Sequence, residues 1–162
     1  MAYGNYQREQ NPDGYDEKII QVNRVSKKTK GGNKIGFAVL MVVGDKKGKV
    51  GVGLGKAPDV SSAIRKGASV ARKHMTTVPL INTTIPFRVD VKLGAARLML
   101  KPAPRGSGVI AGGAVRNVVT AAGIENISSK VLGTKNQASN VYATMEALRI
   151  LAERFKRKEK KA

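Results

Sequence analysis

Residues 49–57 read KVGVGLGKA. In an extended chain side chains alternate between faces, so Val50, Val52 and Leu54 line one side while Gly51, Gly53 and Gly55 leave the other bare. Something must approach that bare backbone closely. A helix or neighbouring strand packed on it meets the requirement, and so does an RNA backbone; the residues alone weigh the two equally.

The surrounding pattern extends the sheet. EKIIQVNRV reads as a strand, and KIGFAVLMVVG, with apolar residues on both faces, as a strand that is central or covered. Between them lies KKTKGGNK, four lysines around a glycine pair at a hairpin tip. A turn at Gly44–Gly48 leads into the glycine-alternating strand. After it, Asp59 is placed to cap a helix with the stripe Val60, Ala63, Ile64, Ala68, Ala71 and Met75. Arg65, Lys66, Arg72 and Lys73 fall off that stripe, facing solvent or phosphate. His74 reads as a surface residue without a partner. The segment TTVPLINTTIP carries the expected domain boundary.

Beyond it, Ile85, Phe87, Val89, Val91 and Leu93 alternate with polar residues in a one-sided strand, and RLMLKP reads as its neighbour across a short turn. The loop APRGSGVIAGG precedes a helix over about 113–122, with Ala114, Val115, Val118 and Val119 inward and Gly123 as its cap. NISSKVLG predicts a third strand. A long helix over 137–155 follows, with Val141, Met145, Leu148 and Ala152 inward. The expected organisation is a flexible acidic arm at 1–15, a first domain at 16–80, a second at 84–152 and a fraying basic tail at 153–162. The four acids of residues 1–17 read as a solvated tail, with no apolar setting that would poise them as a catalytic pair.

Charge sets the class of partner. The chain has 162 residues with 30 Lys and Arg against 11 Asp and Glu, a net +19, and residues 18–80 alone carry 14 basic and 2 acidic groups. Such an excess repels itself until a polyanion neutralises it. Aromatic residues are only 4% and tryptophan is absent, so phosphate and helix-shape recognition is expected over base stacking. With no cysteine and one histidine, no metal site is expected. No apolar run of membrane-spanning length and no signal peptide is read, which makes a soluble, unexported protein the expectation.

RGSGVIAGGAVR invites an enzyme reading, because glycine-rich turns before helices present backbone amides to phosphate. It lacks the GK[ST] ending of a P-loop and the acidic residue of a dinucleotide fold, and Asp90 and Glu125 show no Mg²⁺-pairing spacing. A tight turn or the close approach of a partner chain is the stronger reading. No cofactor is expected.

FAVLMVVGDKKGKVGVGLGKAPDVSSAIRKGASVARK, followed by LKPAPRGSGVIAGGAVRNVVTAAGIENISSKVLGTKNQASNVYATMEAL, closely resembles the bacterial ribosomal protein S-five family over roughly residues 17–150. The resemblance implies an α+β fold. Its N-terminal module would be similar to a double-stranded-RNA-binding domain, and its C-terminal β-β-α-β-α domain would have a left-handed crossover, related to a nucleotide-kinase fold group. It implies a cytoplasmic, non-enzymatic component of the small ribosomal subunit that binds 16S ribosomal RNA, supports assembly, sits near messenger RNA entry and helps maintain accuracy. The tip Ser26–Lys34 matches the family loop that reaches into RNA. The RNA-contacting set is then Arg24, Lys27, Lys28, Lys30, Gly31, Gly32, Lys34, Lys56, Arg65, Lys66, Arg72 and Lys73. Gly112, Gly113 and Arg116 match the surface facing protein S-four, and protein S-eight is a further expected neighbour. The chain departs from the family pattern at Phe87, where histidine is common, and between the asparagines of NQASN at 136–140. Two other classes stand against this reading. A small-molecule kinase would need a Mg²⁺-binding carboxylate near the glycine loop, and a free-standing duplex-RNA binder would wash off small subunits in high salt.

Overall fold

The computed structural model describes residues 14–160, so nearly all of the arm expected at 1–15 lies outside the described residues. Three long strands, β1 (Asp16–Thr29), β2 (Gly32–Gly44) and β3 (Lys49–Ala57), form an antiparallel meander, and the short β4 (Thr76–Thr77) pairs with the free edge of β3. Helix α1 (Val60–Lys73) lies across one face of this sheet, capped by the Asp59 carboxylate, which accepts from the Ser62 amide at 3.2 Å.

This helix answers the question posed by the glycine strand. A Cβ on Gly51, Gly53 or Gly55 would meet the carbonyl oxygens of Ala71, Gly67 and Ala63 respectively. The RNA alternative for the bare face is therefore overturned: α1 occupies it. The helix contributes small residues to the contact, with Ala63, Gly67, Ala68 and Ala71 buried. Backbone meets backbone with no side-chain layer between them.

From Ala38 to Gly44 β2 is buried on both faces, as its apolar run predicts, while its Gly32–Ile35 end is exposed. Register places Val39, Met41 and Val43 on the side of the three glycines, under α1. Leu40 and Val42 point the other way and join Val50 and Val52 in a core shared with the second half of the chain.

The second sheet contains β5 (Val89–Leu93), β6 (Ala96–Pro102), β7 (Val109–Ile110) and β8 (Ile127–Val131), in the order β5-β6-β8-β7. β7 runs parallel to β8 and is joined to it through α2 (Gly113–Ala121). The two residues of β7 fall inside what reads in sequence as a plain loop. Helices α2 and α3 (Gln137–Glu159) pack together and touch strands of both sheets. Two-sided packing explains why α3 buries Asn140, Val141, Ala143, Thr144, Ala147, Leu148 and Leu151, a wider set than one stripe. Each large apolar side chain so buried contributes roughly 1.5–3 kcal/mol.

The halves are also joined by hydrogen bonds. The amides of Lys46 and Gly48, in the β2–β3 turn, donate to the carbonyls of Ala121 and Ala122 at the end of α2, at 3.1 and 2.9 Å. The expected boundary segment carries no loose chain at its two ends, because Val78 and Ile85 are buried.

Two further expectations change. Asp16 and Glu17 are not a solvated tail: they open β1 and pair with Lys46 at 3.1 Å and Arg72 at 2.9 Å. The helix also runs further into the basic end than the expected 137–155. α3 continues to Glu159, with Lys156, Arg157 and Lys158 in its last turn, where cations complement the helix dipole.

Candidate nucleic-acid interface

Beyond Phe37, the last residue of β2 toward the tip that pairs with β3, the β1–β2 hairpin continues alone from Val25↔Gly36 to Thr29↔Gly32. It is a two-stranded ribbon projecting from the sheet, and every residue of it except the half-buried Gly36 is exposed. Lys27 and Lys34 are direct partners across the ribbon, so two like charges share one face, while Lys28 lies with Asn33 on the other and Lys30 sits in the turn. Like charges placed opposite one another destabilise a hairpin, and an isolated two-stranded ribbon is marginal in water. The ribbon also exposes Val25 and Ile35.

The turn is closed by the Thr29 hydroxyl donating to the Gly32 carbonyl at 2.7 Å. Gly32 has φ +124°, while Gly31 lies outside the left-handed region; a Cβ on either would meet no protein atom within 4 Å. The glycines thus have different structural standing: Gly32 is demanded by the backbone, and Gly31 is not.

Among the described residues no carboxylate pairs with a lysine of the tip. Asp16, Glu17, Asp90, Glu146 and Glu153 form ion pairs elsewhere, Asp45 accepts from the amides of Lys47 and Lys49, and Asp59 caps α1. Among the described residues, Lys27, Lys28, Lys30 and Lys34 have no ion pair. Within the described residues the cationic ribbon carries its charge unneutralised.

The remaining candidate cations do not converge on one spot. Arg24 pairs with Phe37 at the root of the ribbon on the α1 side, and Lys56 pairs with Ala38 on the opposite face. Arg65 and Lys66 are exposed on the half of α1 that follows β3 directly. Arg72 and Lys73 lie at the far end of the sheet. Arg72 donates to Glu17, whose register partner Val43 is roughly 30 Å of strand away from Lys34. Arg72 is half-buried, so its expected place on a free cationic face is corrected: the guanidinium ties α1 to β1. His74 caps α1, with Nδ1 3.0 Å from the Val70 carbonyl oxygen.

The second candidate surface surrounds the start of α2. Gly112 is its N-cap and, like Gly113, is exposed; a Cβ on Gly112 would make only an ordinary contact with Val131, and one on Gly113 none. Arg116 donates to the Val109 carbonyl at 3.3 Å, so it steadies β7 as well as facing outward. The loop before it is held from beneath by Asn126, one of the few buried polar side chains. Its oxygen accepts from the Gly108 amide at 3.1 Å and its NH₂ donates to the Thr83 hydroxyl at 2.8 Å.

Cations that the sequence patterns did not single out gather on the outer face of the second sheet. Lys92 and Arg97 are register partners, Lys130 pairs with Met99, and Lys101 shares their side. Alternation within β5 and β6 contained this face, but its membership depends on strand order. Arg88 is held by Asp90 through bonds of 2.9 and 3.1 Å, which raises its already high pKa further. Among the described residues no three acidic or histidine side chains assemble into a metal cluster, and no helix is long and apolar enough to cross a membrane.

Comparison with known proteins covers both halves. The family described as "Ribosomal protein S5, N-terminal domain" matches residues 15–79, and "Ribosomal protein S5, C-terminal domain" matches residues 91–157. A protein of Acidithiobacillus ferrooxidans named "Small ribosomal subunit protein uS5" is 54% identical over 136 residues, covering 83% of this chain and 77% of its own length. The protein of that name from Lawsonia intracellularis is 48% identical over 143 residues, 88% of each chain. One from Chloroflexus aurantiacus is 50% identical over 133 residues, 82% of this chain and 75% of the relative.

Proposed function

The chain belongs to the ribosomal protein S5 family, and on that premise we propose that it acts as an RNA clamp within the small ribosomal subunit, gripping 16S ribosomal RNA through the β1–β2 ribbon. It is a structural constituent of that subunit and not an enzyme. The observation that carries the RNA reading is the ribbon itself: exposed, cationic on both faces, with Lys27 opposite Lys34 and, among the described residues, no carboxylate paired with its lysines. Such a projection is unfavourable alone and favourable in a groove lined by phosphates, where each bound cation releases condensed counterions. Support for subunit assembly and accuracy follows from the same grip. The exposed Gly112–Gly113 start of α2, with Arg116, is the surface offered to protein S-four; S-eight and the messenger entry region are the further neighbours. The small subunit in the cytoplasm is the place of action.

The test is binding of a 16S rRNA fragment across a salt series. Changing Lys27, Lys28, Lys30 and Lys34 together to alanine should weaken binding strongly and flatten the slope of log K against log salt by roughly 3, at about 0.7–0.9 per phosphate contact. An unchanged slope would sink the claim that the tip touches phosphate.

A further inference from the structure

A second grouping of cations, on different elements from the ribbon, surrounds an aromatic ring. Phe87 is half-buried just before β5; part of its ring packs on the main core, and part faces an open pocket of about 310 Å³. The pocket is lined by Phe87, Arg154, Arg157 and Lys158. Lys158 Nζ stands 5.5 Å from the ring centroid. Among the described residues no carboxylate lines the pocket. Asp90 on β5 is held by Arg88, and Glu153 on α3 faces Arg149 at 4.0 Å. Arg154, Arg157 and Lys158 form no ion pair among the described residues.

We infer that this pocket is a binding site for single-stranded RNA, taking one unstacked base against Phe87 and the flanking phosphates on Arg154 and Arg157. Only a polyanion that also carries flat apolar groups uses all four side chains. A duplex keeps its bases stacked and offers none to a recessed ring, and an acidic peptide engages the cations but leaves the ring idle. Lys158, on a flexible four-carbon stem, swings from the ring to a phosphate as the base enters. The overall scarcity of aromatic residues argues against stacking as the chain's general mode, and this recess is a local exception.

The chain has no tryptophan, so Phe87→Trp in the full-length protein places a unique reporter at the site. Titration with an eight-residue oligouridylate should quench its emission saturably, whereas a sixteen-base-pair RNA duplex should not. Phe87→Leu, which keeps the apolar packing, should weaken oligouridylate binding about tenfold with duplex affinity unchanged. Arg154→Gln with Arg157→Gln should flatten the single-strand salt slope by about 1.4. Unchanged emission in an oligouridylate complex overturns the inference, and so does wild-type affinity in Phe87→Leu, which carries the test alone if the larger indole displaces α3. Quenching by polyglutamate and not by RNA would overturn it in favour of an acidic protein partner. The four-lysine tip variant should leave the quench intact, so the two RNA readings fail separately.

Discussion

Two sets of glycines in the first sheet do opposite things. Gly51, Gly53 and Gly55 lie under α1, where a methyl group would strike the helix backbone; Gly31 and Gly32 stand at the ribbon tip, where it would strike nothing in the protein. The first set defines the fold from within. In the second, Gly32 is set by its own backbone at φ +124°, and Gly31 alone has no reason within the free chain. Glycine content alone does not separate these cases. What separates them is whether the missing side chain would meet this protein or the space around it.

Gly53→Val should break the comparison most visibly. Its side chain would be forced between the Gly67 carbonyl, the Ala71 amide and the Ala71 methyl, all on α1. Neither a strand held on both sides nor a helix seated on backbone can give way cheaply, so a loss of about 3 kcal/mol is expected in a urea unfolding series. Against a typical total of roughly 5–15 kcal/mol that is a severe effect. Stability within about 0.5 kcal/mol of the parent would mean that α1 is not seated on this stripe.

The cations divide in the same way, and a smaller effect sharpens that division. Arg72 is committed to Glu17 across 55 residues of sequence, with both side chains only partly exposed. Glu17→Gln removes one charge partner of Arg72 and should cost about 1 kcal/mol, no more, because the pair is still partly screened by solvent. The salt slope for RNA binding should not change. The tip lysines are expected to show the reverse: little effect on unfolding and a large effect on the slope. If Glu17→Gln shifts the slope, Arg72 belongs to the RNA face after all.

The features legible in the sequence were those with a local cause. Asp59 capping α1, the two-sided β2 and the end of α2 near Gly123 follow from residue type and period within one element. The features that were not legible come from distant pairing. Two-residue β7 has no periodicity to detect and exists because β8 lies beside it. The last turn of α3 has no apolar stripe that would extend it past Phe155, yet Lys158 packs over Phe87 from a segment far away in sequence. The Arg72–Glu17 pair is the same case. At the candidate interface the tip was readable as a charged hairpin, but the length of its unsupported ribbon was not, because that depends on where β3 stops pairing with β2.

The smallest expected effect concerns the two tip glycines themselves. Gly32→Ala forces an L-residue to φ near +124° and should cost about 1 kcal/mol locally. The cost is seen as faster amide exchange around Lys28–Asn33, with little change in global unfolding, since the ribbon makes few contacts with the core. Gly31→Leu meets open space and an ordinary backbone, so amide exchange in the free protein should be unaltered. Its affinity for the 16S fragment should nevertheless fall severalfold if an RNA backbone closes over the turn. The opposite outcome, with Gly31→Leu binding as the parent does and only Gly32→Ala impaired, would mean that the turn matters for its shape alone and that the lysines work without close approach at the tip.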